Sequence, residues 1–167
     1  LTEGVHSGTA SGVVPDTFRV ARLLLDRVED AATGAILVPE LRAEVPEGRR
    51  AEIAAVADAL GAALTSSYPY VAGAGPAVPA TDPAGQLLAR TWEPTLTVIG
   101  ADGLPPVETG GNVLRPRTAL ALSFRLPPTV DAHAAGEAVR AALEADPPYG
   151  CQVRLVVDSA EGGWNAP

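Results

Sequence analysis

Apolar positions recur along this chain with two different periods, and the switch between them organises the reading. Over 17–30, Phe18, Ala21, Leu24, Leu25 and Val28 fall on one stripe, with Arg19, Arg22, Asp26 and Arg27 mainly opposite. That spacing predicts an amphipathic helix. Asp16, behind Pro15, supplies its N-cap, and Thr33-Gly34 its stop. Ile36-Leu37-Val38 reads as a short extended piece, followed by a polar connection over 39–48 with Pro39 and Pro46. An alanine-rich stretch predicts a second helix over 49–64. Residues 65–90 hold Pro69, Gly73, Gly75, Pro76, Pro79, Pro83 and Gly85 and read as irregular, with one helical turn at 86–90. So long an irregular stretch inside a domain is usually functional or mobile.

From residue 92 the period falls to two. Leu96-Thr97-Val98-Ile99 marks a strand over 92–100, and 101–111 is a loop. Over 117–126 the alternation is clean. Leu120, Leu122, Phe124 and Leu126 take one face, and Ala119, Ala121, Ser123 and Arg125 the other. Pro127-Pro128 ends that strand. Thr129 or Asp131 caps a helix running to Ala145, with Val130, Ala134, Ala138, Val139 and Leu143 inward. Pro147-Pro148-Tyr149-Gly150 turns the chain into a last strand over 151–158. The order is helix, insert, strand, strand, helix, strand. With one strand ahead of Leu1 it becomes βαββαβ, an α+β, ferredoxin-like α/β sandwich with its first strand largely missing and an extra helical insert over about 39–90. Two helices then cover the leucine face of the sheet. The Ala/Ser/Arg face is left for something that approaches closely.

Composition narrows the partners. The 167 residues suit one domain with its own core. The formal net charge of −8, from 20 acidic against 12 basic residues, argues against nucleic acid and anionic membranes. No apolar run approaches the roughly 20 residues of a membrane span, and no signal peptide opens the chain. The single cysteine, Cys151, excludes an internal disulfide and suits core packing, which leans towards the cytoplasm. Methionine is absent, the chain starts at Leu1, and it ends on Gly162-Gly163-Trp164-Asn165-Ala166-Pro167, which suggests a piece of a longer polypeptide.

Three residues stand out as chemistry. His6 lies in the Gly/Ser-rich segment Gly4-Val5-His6-Ser7-Gly8-Thr9-Ala10-Ser11-Gly12, where small neighbours leave room for a ligand. It suits a donor to developing negative charge or a proton carrier. It does not suit a metal ligand, since no second ligand sits at ligand spacing. Adjacent Ser7 makes no nucleophilic pair with it, and no Gly-x-Ser-x-Gly elbow or Gly-Lys-Ser/Thr phosphate loop exists. Asn112, behind Gly110-Gly111, is either a turn amide or a side chain held towards a ligand at the head of a strand. Arg125, on the small-residue face, is either a solvated cation or a guanidinium for a substrate carboxylate. His133, in a helix first turn, reads as solvated.

These residues also carry a resemblance. Val5-His6-Ser7-Gly8, then Gly12, Pro15 and an amphipathic helix, resembles the His-Ser-Gly segment of zinc-dependent dipeptidases of the carnosinase and aminoacylase clan. Trp92-Glu93-Pro94-Thr95-Leu96-Thr97-Val98-Ile99-Gly100 is similar to their second lid strand. Asn112-Val113-Leu114 and Arg125-Leu126-Pro127-Pro128 are similar to the clan's Asn-Val-Ile-Pro stretch and its strand ending in arginine. The resemblance covers nearly the whole chain apart from the 39–90 insert.

The resemblance implies a single lid, or dimerisation, domain over 1–167, inserted in a catalytic domain whose His, Asp and Glu hold two zinc ions. It implies a homodimer formed through the lid. It makes His6 the lid histidine that reaches into the partner subunit's active site and stabilises an oxyanion. Asn112 and Arg125 become residues that hold the carboxylate end of a small peptide or acylamino acid. Arg115, where the clan usually carries proline, offers a second anion contact. None of the zinc ligands is implied within this chain, so the isolated piece is expected to be inactive. The rival from another class is a stand-alone ferredoxin-like binding or regulatory dimerisation module, taking a small anion at Asn112 and Arg125.

Overall fold

Side-chain caps set where three of the four longer helices begin. In the computed structural model, which describes residues 1–66 and 68–165, Asp16 accepts a hydrogen bond from Phe18 N, Asp82 from Gly85 N and Asp131 from Ala134 N. The elements in chain order are β1 (Val5–His6), α1 (Ser7–Ala10), α2 (Thr17–Leu25), α3 (Glu47–Leu60), α4 (Ala63–Ser66), α5 (Pro83–Thr91), β2 (Thr95–Asp102), β3 (Val113–Leu114), β4 (Ala119–Arg125) and α6 (Ala132–Glu144). Ser67, inside the irregular stretch expected over 65–90, lies outside the described residues, as do Ala166 and Pro167 at the end.

The helix expected over 17–30 is shorter, because its last turn tightens. Arg27 N donates to Leu24 O and Val28 N to Leu25 O, three residues back instead of four. Its buried stripe is also rotated from the expected one. Val20 and Val28 are buried, while Phe18 is 41% exposed. In α6 the inward positions are Ala132, Ala135, Val139 and Leu143, so Ala134 is solvent-facing instead of inward. The single turn expected at 86–90 is the nine-residue α5. Asp82 followed by Pro83 at the first helical position is its start signal.

The core joins α2, the piece after it, α6 and one face of the strands. Val28, Ile36, Val38, Leu41, Ala135, Val139 and Leu143 form its buried centre. Leu96, Leu122, Phe124 and Leu126 pack on it from the strands, so the leucine face of β4 meets the helices as its alternation requires. The connection after Val38 is more firmly built than its polar sequence suggests. Leu41 is fully buried, and the Arg42 guanidinium donates to Ile36 O. Arg27 clamps the far end of α6, donating to Ala142 O, Ala145 O and Asp146 O. These are carbonyls a helix C-terminus leaves without partners.

β2 and β4 form an antiparallel pair from Thr95↔Arg125 to Asp102↔Ala119, with a bulge between Val98 and Gly100. β1 and β3 form a second, two-residue pair. The fold is α+β and compatible with the ferredoxin-like sandwich. One expected strand forms no ladder. Residues 151–158 form no strand ladder, although they alternate: Cys151, Val153 and Leu155 are half-buried, while Gln152, Arg154 and Val156 are exposed. The side-chain pattern is that of a strand, but no described strand lies alongside to pair with it. The Leu155 N–H instead donates to Glu144 Oε1 at 2.6 Å.

Candidate functional site

His6 is placed by the helix it opens. It stands at the N-cap of α1, and its Nδ1 accepts a hydrogen bond from Gly8 N at 3.1 Å. A Cβ on residue 8 would stand 3.0 Å from His6 Cε1 and 3.1 Å from Nδ1. Glycine at 8 therefore lets the ring fold over the first turn. A ring nitrogen that accepts from a backbone N–H carries no proton, so in the neutral ring the proton is on Nε2. The ring is solvent-exposed. The result is an imidazole with one nitrogen tied to the backbone and an N–H donor facing outward.

Asn112 is brought to the same place. Ser7 N donates to Asn112 O at 2.8 Å, and His6 lies opposite Val113 in the β1–β3 register. The two turns, about a hundred residues apart in sequence, are thus held backbone to backbone. The Asn112 side chain is exposed and makes no hydrogen bond among the described residues. It is free to face a ligand. Next along, Arg115 is half-buried. Nothing in the sequence signals the Ser7–Asn112 link, because it joins backbone to backbone.

Arg125 is elsewhere. It ends β4, opposite Thr95, exposed and with no ion-pair partner among the described residues. Six strand steps separate Ala119 from Arg125, about 20 Å at the usual rise. His6 and Asn112 sit beyond the opposite end. The chain therefore presents the exposed His6 and Asn112 side chains beyond one end of β4 and the exposed Arg125 guanidinium at the other.

Among the described residues, no cluster of three or more His, Cys, Asp or Glu side chains could hold a metal ion. His133 is exposed beside Asp131, whose carboxyl lies below its ordinary value chiefly because Ala134 N–H donates to it. Cys151 is half-buried. A shallow recess of about 210 Å³ in the insert is lined by Leu64, Tyr68, Pro76, Val78, Gln86, Ala89 and Arg90, and holds none of the three candidates. No helix among the described residues is long and apolar enough to cross a membrane.

No family model matches the sequence, and no curated protein matches it. Solved structures do match in fold. The di-peptidase Dug1p from Saccharomyces cerevisiae superposes with a TM-score of 0.61 at 20% identity, over 87% of this chain and 29% of that one. Human carnosine dipeptidase 1 gives 0.60 at 20% identity, over 85% of this chain and 29% of that one. The M20 family metallo-carboxypeptidase Sso-CP2 from Sulfolobus solfataricus gives 0.60 at 19%, over 86% and 36%. At these identities the likeness is one of fold. This chain thus spans about a third of the length of those peptidases and has the fold of that part of them.

Proposed function

We propose that this chain is the lid and dimerisation domain of a di-zinc, dipeptidase-like hydrolase that cleaves peptide or amide bonds. The observation that supports it best is the His6 arrangement, an exposed ring with Nδ1 tied to Gly8 N and its turn joined to that of Asn112 through Ser7 N, on a fold shared with part of three peptidases. The described residues do not fit a zinc pair. The metal of this reading belongs to a catalytic domain outside them, and the isolated chain is inactive. What these residues supply is binding and polarisation. As a peptide carbonyl is attacked, negative charge grows on its oxygen, and a pre-aimed N–H donor there favours the transition state over the substrate. His6 fills that role. Asn112 and Arg125 hold the substrate's carboxylate end, Arg125 by a two-pronged contact.

The separation along β4 gives this reading a dimeric form. His6 and Asn112 serve the partner subunit's site, while Arg125 serves its own. The substrate is a small peptide or acylamino acid with a free carboxylate. The unpaired Cys151 thiol suits a cytoplasmic setting.

The test is made in the longer, zinc-loaded protein that the reading requires. His6→Ala is expected to lower kcat about a hundredfold to a thousandfold, as loss of an oxyanion donor does, with zinc content unchanged. An unchanged kcat, or loss of metal along with activity, overturns the assignment.

A further inference from the structure

The insert builds a recess of its own, of about 210 Å³. Leu64 of α4, 7% exposed, is its floor. Gln86, Ala89 and Arg90 bring one stripe of α5 to it, since residues three and four apart share a helix face. Tyr68 and Pro76 add a ring face each. The shape is held from within. Gln86 Nε2 donates to Val78 O at 3.0 Å and to Pro79 O at 3.2 Å, which ties that stretch of chain to α5. Asp82 caps α5 through Gly85 N at 2.9 Å, and Pro76 and Pro79 fix their own φ. Tyr70 meets Tyr68 edge-on, with ring centroids 6.1 Å apart and planes at 72°. A long stretch that reads as irregular is thus anchored at several points, and a site formed before its ligand arrives costs little ordering on binding.

The chemistry of the recess is one-sided. Its lining is mostly apolar, and the Gln86 amide N–H groups are already taken by the two carbonyls. The one charged side chain in the lining is Arg90. It is exposed, so it stands at the mouth, and it makes no hydrogen bond or ion pair among the described residues. In a chain of net charge −8, an unpaired guanidinium beside an apolar hollow selects for an anion carried on an apolar body. That is the usual division of labour in a ligand site, where apolar walls supply contact and a few polar groups set orientation. The volume is below the roughly 300–1,000 Å³ that suits drug-sized ligands. It has room for one ring and a short tail.

We propose that this recess binds a small apolar carboxylate, a single aromatic ring on a short acid chain, as a free small molecule. The ring lies over Leu64 against Tyr68 and Pro76, and the carboxylate meets Arg90. The recess holds none of His6, Asn112 and Arg125, so the proposal stands whether or not the peptidase reading does.

A titration of the protein with 3-phenylpropionate, followed by backbone amide chemical shifts, tests it. Saturable shifts are expected at Leu64, Tyr68, Val78 and the 86–90 turn, with a Kd of about 1 mM, ordinary for a ligand of about eleven non-hydrogen atoms. 3-Phenylpropanol has the ring without the charge, and acetate the charge without the ring. Each is expected to bind at least about fivefold more weakly. Arg90→Gln is expected to weaken the acid about fivefold and leave the alcohol unchanged, with the thermal midpoint unmoved because Arg90 is exposed. Arg125→Ala is expected to leave the affinity for the acid unchanged, which separates this site from the carboxylate contact of the peptidase reading. The absence of saturable shifts at those amides up to about 20 mM overturns the site. So does equal binding of acid and alcohol, and so does an affinity for the acid that Arg90→Gln leaves unchanged.

Discussion

His6 uses its two ring nitrogens differently, and the difference is the strongest chemical statement the molecule makes. Nδ1 is fixed by Gly8 N, which orients the ring and leaves Nε2–H as the outward donor. Glycine at 8 leaves the ring room over the turn, and Asn112 O anchors Ser7. Gly103 is a position where the residue type is required. Its φ is +87°, and an added Cβ would run into the backbone carbonyl of Arg117. Beside it, the Asp102 carboxylate accepts from Gly103 N at 2.8 Å and pairs with Arg117. Gly103→Ala is expected to cost about 2–4 kcal/mol, since strain and a backbone clash add. A urea titration followed by circular dichroism reads this as a lowered midpoint with unchanged slope.

At the scale of elements, α6 is held at both ends by different means. Asp131 caps its start, and Arg27, from the turn after α2, takes up the carbonyls at its end. That clamp also fixes how α2 lies against α6, with Val28 buried between them in the core. Arg27→Ala leaves those carbonyls to water and removes charge-assisted hydrogen bonds, each worth about 1.5–3 kcal/mol. The expected loss is about 2 kcal/mol by chemical denaturation, with faster amide exchange concentrated in the last turn of α6. A loss spread evenly over the chain would count against a local clamp. The sheet, by contrast, is poorly held. Among the described residues β4 is paired on one edge only, and 151–157 alternate like a strand without pairing. A strand's hydrogen bonds depend on a neighbour, whereas a helix satisfies its own.

For the whole molecule, the length of β4 separates the candidate residues into two groups. If His6 and Asn112 act across a two-fold dimer while Arg125 acts at home, then His6→Ala and Arg125→Ala damage different subunits' contributions to one site. Each variant of the zinc-loaded parent is expected to be nearly inactive alone. Mixed and allowed to exchange subunits, they regain about a quarter of full activity, because half the dimers are mixed and each mixed dimer holds one intact site. Absence of recovery despite verified exchange would falsify the division of labour.

The periods of the apolar residues were enough to find α2, β2, β4 and α6, because each such period follows from the element's own geometry and needs no knowledge of neighbours, and alanine content was enough to find α3. Asp16 was likewise legible as a cap, and Asp131 as one of two candidates with Thr129, since a cap acts on amides two or three residues away. His6, Asn112 and Arg125 were singled out by residue type and setting. Their grouping was not legible. That His6 and Asn112 meet through Ser7 N, that Arg125 is a strand's length away, and that Leu41 belongs to the core all depend on contacts between distant parts of the chain. The strand expected over 151–158 shows the same limit from the other side. Its alternation is written in the sequence, but a ladder is a property of two segments, and only the tertiary structure decides whether the second is there.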